Sequence, residues 1–122
     1  MSKTVMIVDD SASLRQVVSL SLRDAGYKVI EACDGKDALA KLAGGERIHL
    51  VISDVNMPNM DGISFVRELK KLDAHRFTPI IMLTTESQED KKRQGQAAGA
   101  KAWVVKPFQP RQMLDAVAKL IQ

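Results

Sequence analysis

Residues 4–32 read TVMIVDDSASLRQVVSLSLRDAGYKVIEA, and this stretch sets the architecture. It opens with Thr4-Val5-Met6-Ile7-Val8, apolar at nearly every position, as a strand covered on both faces should be. Past Asp9-Asp10-Ser11, the residues Leu14, Val17, Val18, Leu22 and Ala25 recur at helical spacing on one face. Ser11 is placed to cap that helix at its start, and Gly26 stands where a left-handed residue ends it. Tyr27 to Ala32 then alternates more, the pattern of an edge strand. A strand, a helix and a strand joined by such short connections imply parallel pairing through a right-handed crossover.

The same unit returns along the rest of the chain. Asp34 can cap a second, shorter helix carrying Ala38, Leu39 and Leu42, ended by Gly44-Gly45. Ile48 to Ile52 reads as a third strand, residues 54–60 as a loop, and Asp61 as the cap of a helix with Ile63, Val66 and Leu69 inward. Pro79 to Leu83 gives a fourth strand, followed by a polar helix from about Ser87 to Ala98. Ala102 to Val105 gives a fifth, followed by a helix with Met113, Leu114, Val117, Leu120 and Ile121 on one side. Strands this apolar need helices on both faces, so the expected fold is α/β: a doubly wound five-stranded parallel sheet in a three-layer α/β/α sandwich. Five strands are too few to close an eight-stranded barrel.

Composition narrows the function classes. At 122 residues, with 45% hydrophobic and 27% charged, the chain suits one globular domain spanning residues 1–122. Its single cysteine, Cys33, excludes an internal disulfide and fits a reducing compartment. Apolar runs of four or five residues fall far short of a membrane helix. With no apolar leader at the N-terminus, a cytoplasmic protein without membrane contact is expected. The net charge of +3 is unevenly spread: residues 1–61 carry 7 Lys/Arg against 9 Asp/Glu, and residues 62–122 carry 11 against 6. The basic excess reads as a solvated surface or a partner-binding face rather than a nucleic-acid site.

In open α/β sheets, sites form where the strands end. There the chain places Asp9 and Asp10 after strand one, Asp54 after strand three, Thr84 and Thr85 after strand four, and Lys106 after strand five. Two carboxylates about 5 Å apart at an effective dielectric near 20 repel by roughly 3 kcal/mol, so three of them call for a cation or bound protons. Lys106 offsets part of this, and a hard divalent ion such as Mg²⁺ offsets more. Cys33, His49 and His75 lack the spacing of a soft-metal site, and His49 reads as a strand residue with a local hydrogen bond. A carboxylate beside Mg²⁺, with a hydroxyl and a lysine nearby, suits nucleophilic acceptance of a phosphoryl group. Glycine-rich nucleotide loops and a G-x-S-x-G elbow are both missing.

The segments Val8-Asp9-Asp10-Ser11, Asp54-Val55-Asn56-Met57-Pro58-Asn59-Met60-Asp61-Gly62, Leu83-Thr84-Thr85-Glu86 and Val105-Lys106-Pro107-Phe108, with Ala98-Gly99-Ala100, closely resemble response-regulator receiver domains. Within that family the chain resembles the stand-alone, CheY-like chemotaxis type. The resemblance implies a flavodoxin-like sheet of order 2-1-3-4-5. It also implies that Asp54 is the phosphoacceptor, charged from the phosphohistidine of a CheA-like histidine kinase. Asp10 and Asp54 would hold Mg²⁺ directly, Asp9 largely through water, and Asn56 through its backbone carbonyl. Thr84 would contact the phosphoryl group, Lys106 would pair with it, and Trp103 would be the switching aromatic. Asn56 and Glu86 would tune the attack of water, and the Lys106-Pro107 bond would be cis. Such a domain is a phosphoacceptor rather than an enzyme.

With the sequence closing at Gln122, output is expected through the domain's own surface, as a monomer that binds a downstream protein such as a flagellar switch component. The expected face joins helix four, strand five and helix five, with Lys91, Lys92, Arg93, Lys101 and Trp103. Helix four departs from the best-known chemotaxis pattern, with Gln88 and Glu89 where lysines commonly meet the switch. Gly95 weakens that helix by about 1 kcal/mol relative to alanine. Alternatives are a phosphate shuttle or sink in a relay, and a Mg²⁺-dependent aspartyl-phosphate phosphatase. The phosphatase would need a carboxylate two residues past Asp54, where Asn56 stands.

Overall fold

The computed structural model describes residues 3–45, 47–85 and 89–121, with backbone alone for residue 85 and residues 89–92. Strands β1 (Thr4–Val8), β2 (Lys28–Ala32), β3 (Leu50–Asp54), β4 (Ile80–Thr85) and β5 (Ala102–Lys106) alternate with helices α1 (Ala12–Asp24), α2 (Gly35–Ala43), α3 (Gly62–Lys70), α4 (Glu89–Ala98) and α5 (Pro110–Leu120). All pairings are parallel and the order is β2-β1-β3-β4-β5, as expected. A 3₁₀ turn at Asp73–His75, not foreseen, follows α3. Among the described residues, no helix is long and apolar enough to cross a membrane.

Local chemistry explains the helix starts. Ser11, Asp34 and Asp61 cap α1, α2 and α3, each accepting a hydrogen bond from a backbone N–H three residues on. Gly26, expected as the stop of α1, has φ 97°, a conformation that costs glycine little. The third strand is shifted from its expected span. It begins at Leu50 opposite Val5 and runs to Asp54, because Ile48, although buried, precedes the ladder. His49 Nδ1 accepts from the Thr4 N–H at 3.0 Å, the local bond foreseen for it. Strands four and five likewise extend to Thr85 and Lys106, while Ser87 lies outside the described residues.

The sheet divides two apolar layers. Met6, Val8, Val51, Ile80 and Met82 pack with α2 and α3 residues such as Ala38, Phe65 and Leu69. Val5, Ile7, Ile52, Ile81 and Leu83 pack on the other face with Val18 and Leu22 of α1 and with Met113 and Val117 of α5. Burial on both faces accounts for strands with no polar alternation, and it fixes the level at which the strand ends emerge.

Candidate functional site

The order β2-β1-β3-β4-β5 places the ends of β1, β3, β4 and β5 side by side, so their terminal polar residues converge. Asp9, just past β1, is fully buried, and Asp54, at the end of β3, is nearly so; Asp10 is exposed. One oxygen from each of the three lies within 4.8 Å of the others. Lys106 Nζ bridges the buried pair, 3.2 Å from Asp9 Oδ2 and 3.2 Å from Asp54 Oδ1. The other Asp9 oxygen accepts from the Ser11 N–H at 2.8 Å, so this carboxylate also ties β1 to the start of α1.

Burial raises the Asp54 carboxyl above its usual range, and the charge of Asp9 raises it further against the opposing pull of Lys106. Burial by itself would lower the Lys106 ammonium, but Asp54 and Asp9 outweigh it and the net shift is upward. The result is a carboxylate in an unfavourable electrostatic setting, held by a lysine stabilised by that same charge. The donor set is all hard oxygen. Octahedral Mg²⁺ at about 2.1 Å sets neighbouring ligand oxygens about 3 Å apart and opposite ones about 4 Å apart. A spread of up to 4.8 Å needs little closure, so the residues fit such an ion.

The flanking residues lie at the expected level. Asp54 is opposite Leu83, which places buried Thr84 one residue further along the neighbouring strand. Thr84 in turn pairs with Val105, beside Lys106. Asn56 is exposed on the β3–α3 loop, and Trp103 is half-buried on β5 beside Met82 of β4. Lys106-Pro107 is cis. Arg93 and Lys101 are exposed; Glu86 and the side chains of Lys91 and Lys92 lie outside the described residues.

For three residues of the site's frame the sequence discloses no role, although Asn59 and Gly62 stand within the receiver-like segment. Arg15 of α1 donates to the Asp9 carbonyl and pairs with Glu31 of β2 at 3.3 Å, bracing the first strand end. Asn59, at φ 69°, donates to Asp34 Oδ2 at 2.8 Å and so fastens the β3–α3 loop to the cap of α2. Gly62 lies against the backbone of the third strand end, where a Cβ would stand 2.0 Å from the Asp54 carbonyl oxygen. Arg15 is one helical turn past its cap, and Asn is the residue that best tolerates left-handed backbone after glycine, so faint signals for both were present.

A doubly wound sheet whose strand ends gather three carboxylates, a threonine and a bridging lysine defines a class of acidic-pocket α/β proteins suited to phosphoryl groups and hard cations. Within that class the chain belongs to the response regulator receiver domain family, whose sequence profile matches residues 5–118. Receiver domains accept phosphoryl groups, bind Mg²⁺ at an acidic pocket and act between histidine kinases and downstream effectors. The chain is similar to chemotaxis protein CheY4 of Vibrio cholerae, at 48% identity and TM-score 0.93 over 99% of this chain and 100% of that one. It is 37% identical over 120 residues, or 98% of its length, to the phosphate regulon transcriptional regulatory protein PhoB of Pseudomonas aeruginosa, of which it covers 52%. The receiver domain of a Pseudomonas aeruginosa sensor histidine kinase, with a magnesium ion coordinated in its active-site cleft, is 26% identical with TM-score 0.88 over 98% of each chain. The chain spans about half the length of the curated relatives it matches.

Proposed function

We propose that Asp54 takes a phosphoryl group from the phosphohistidine of a histidine kinase, and that the modified domain binds a downstream protein through α4, β5 and α5. The observation that carries this reading is Lys106 Nζ held 3.2 Å from both Asp9 and Asp54 at the mouth of the sheet. An Asp54 oxygen bonds to phosphorus as the P–N bond breaks, and the departing imidazole nitrogen takes up a proton. Lys106 then pairs with the new phosphoryl oxygens, and the Thr84 hydroxyl donates to one of them. Mg²⁺, when bound, supplies positive charge against the transferred group. Asp10 and Asp54 would hold the ion directly, Asp9 largely through water, and Asn56 through its carbonyl. Asn56 and Glu86 would set how water reaches the phosphorylated carboxyl.

Residues 1–122 act in this reading as one cytoplasmic, monomeric receiver domain of the chemotaxis type. Identity of 48% to CheY4, against 37% to PhoB, favours chemotaxis over transcriptional output. The exposed, basic Arg93 and Lys101 near Trp103 favour an acidic partner, for instance a flagellar switch component. Incubation with acetyl phosphate and Mg²⁺ tests the acceptor. Label on Asp54, and none in Asp54→Asn, is the expected result. Label retained at normal stoichiometry in Asp54→Asn would overturn the assignment.

A further inference from the structure

Gly95 lies inside α4, a position where glycine costs stability relative to alanine. Conformational freedom does not explain it, because the glycines at positive φ are Gly26, Gly45 and Gly99. Space does. A Cβ at position 95 would stand 2.3 Å from Cζ3 and 2.9 Å from Cη2 of Trp103, inside any tolerable contact. Gly95 is buried, and the half-buried Trp103 packs on the same core layer as α2 and α3. The Gly95 carbonyl also accepts from the Gly99 and Ala100 N–H groups, which ties this helical turn to the entry of β5. Trp103 is two residues before Val105, the partner of Thr84, and so shares its face of the sheet with the strand-end threonine.

We infer that Gly95 is a positioning residue for the response at the α4–β5 face: the slot left by its missing side chain seats the Trp103 indole against the α4 backbone, so that helix and indole move together. This rests on the proposed function, in which that face responds to phosphorylation of Asp54. A displacement at the end of β4 passes to the indole on the next strand, and through the slot to α4. A larger residue at position 95 breaks that link without touching the acidic pocket.

The test separates the slot from the response. Melting is measured in EDTA, without phosphodonor, for the parent protein, Gly95→Ala, Trp103→Ala and the double variant. Alanine at a helix-interior glycine ordinarily raises Tm. Here Gly95→Ala is expected to lower it when Trp103 is present and to raise it in the Trp103→Ala background; the same sign in both backgrounds would overturn the slot. Should Gly95→Ala not fold, recovery of folding by the one-ring-shorter Trp103→Phe supports the slot, and no recovery overturns it. Acrylamide quenching of Trp103, the only tryptophan, is then followed on addition of acetyl phosphate and Mg²⁺, at matched Asp54 labelling. The parent protein is expected to change its quenching and Gly95→Ala to change by less than half as much, while equal changes would overturn the positioning role. A parent indole silent at full labelling would overturn the positioning role together with the proposed response of this face; the melting result, obtained without phosphodonor, decides the slot independently.

Discussion

Asp54 and Lys106 are both shifted upward in the folded protein, the carboxyl by burial and then Asp9, the ammonium against burial by the charges of Asp54 and Asp9. The Asp54 carboxyl is raised by burial first and by Asp9 second, so the folded protein favours its protonated form relative to the unfolded chain. That contribution is fully present below the unfolded value of 3.8 and is lost as pH rises through the higher folded value. In EDTA at pH 7, Asp54→Asn should therefore melt above the parent by about 4 °C, equivalent to about 1 kcal/mol once Lys106 has offset most of the carboxylate repulsion. The gap should shrink as pH falls toward 3.8, and a gap independent of pH in differential scanning calorimetry would contradict this. The raised Lys106 value behaves the same way at higher pH: its contribution is fully present below the unfolded 10.5, so it holds at pH 7, and it fades as pH rises through the folded value. Lys106→Ala should accordingly lower Tm at pH 7, since it leaves Asp9 and Asp54 facing each other without a counter-charge.

At the scale of elements, the β3–α3 connection holds Asp54 in place. Gly62 opens α3 directly against the last residue of β3, and its N–H donates to Val55 O at 2.8 Å. A methyl group 2.0 Å from the Asp54 carbonyl oxygen cannot be accommodated without moving backbone, so Gly62→Ala should cost about 1–3 kcal/mol in urea unfolding. It should also slow acetyl phosphate labelling; unchanged labelling would show that the connection does not set the position of Asp54. Much of this element is legible in the sequence: Asp61 reads as the cap and is one, and the three inward residues Ile63, Val66 and Leu69 are buried. What stayed hidden was contact between distant residues. The Asn59–Asp34 bond joins positions 25 apart, and the close approach of Gly62 to Asp54 depends on how α3 packs, which no local periodicity records. The start of β3 differs from the sequence pattern for a related reason: Ile48 and Leu50 are equally apolar, and the ladder with β1, not hydropathy, decides where pairing begins. Gly95 reads as a flaw in α4 from the sequence alone, and the Trp103 indole against it supplies the reason.

For the whole molecule, the sheet order turns scattered strand-end residues into one pocket, and a ligand in that pocket is linked to global stability. Mg²⁺ at 100 times its dissociation constant should stabilise the fold by about 2.7 kcal/mol if it binds the folded chain alone. Asp10→Ala should remove most of that gain and, in EDTA, should melt above the parent because one carboxylate has left a crowded site. A lower Tm for Asp10→Ala in EDTA would argue against electrostatic crowding. The convergence of Asp9, Asp10, Asp54, Thr84 and Lys106 was foreseeable because alternating strands and helices dictate a parallel sheet, and parallel strands all end on one side. The central claim, that Asp54 accepts a phosphoryl group in this pocket, is tested most directly by acetyl phosphate labelling followed by peptide mapping, with and without Mg²⁺. The account predicts modification at Asp54 that requires Mg²⁺ and disappears in Asp54→Asn. Modification at another residue, or equal labelling in EDTA, would contradict it.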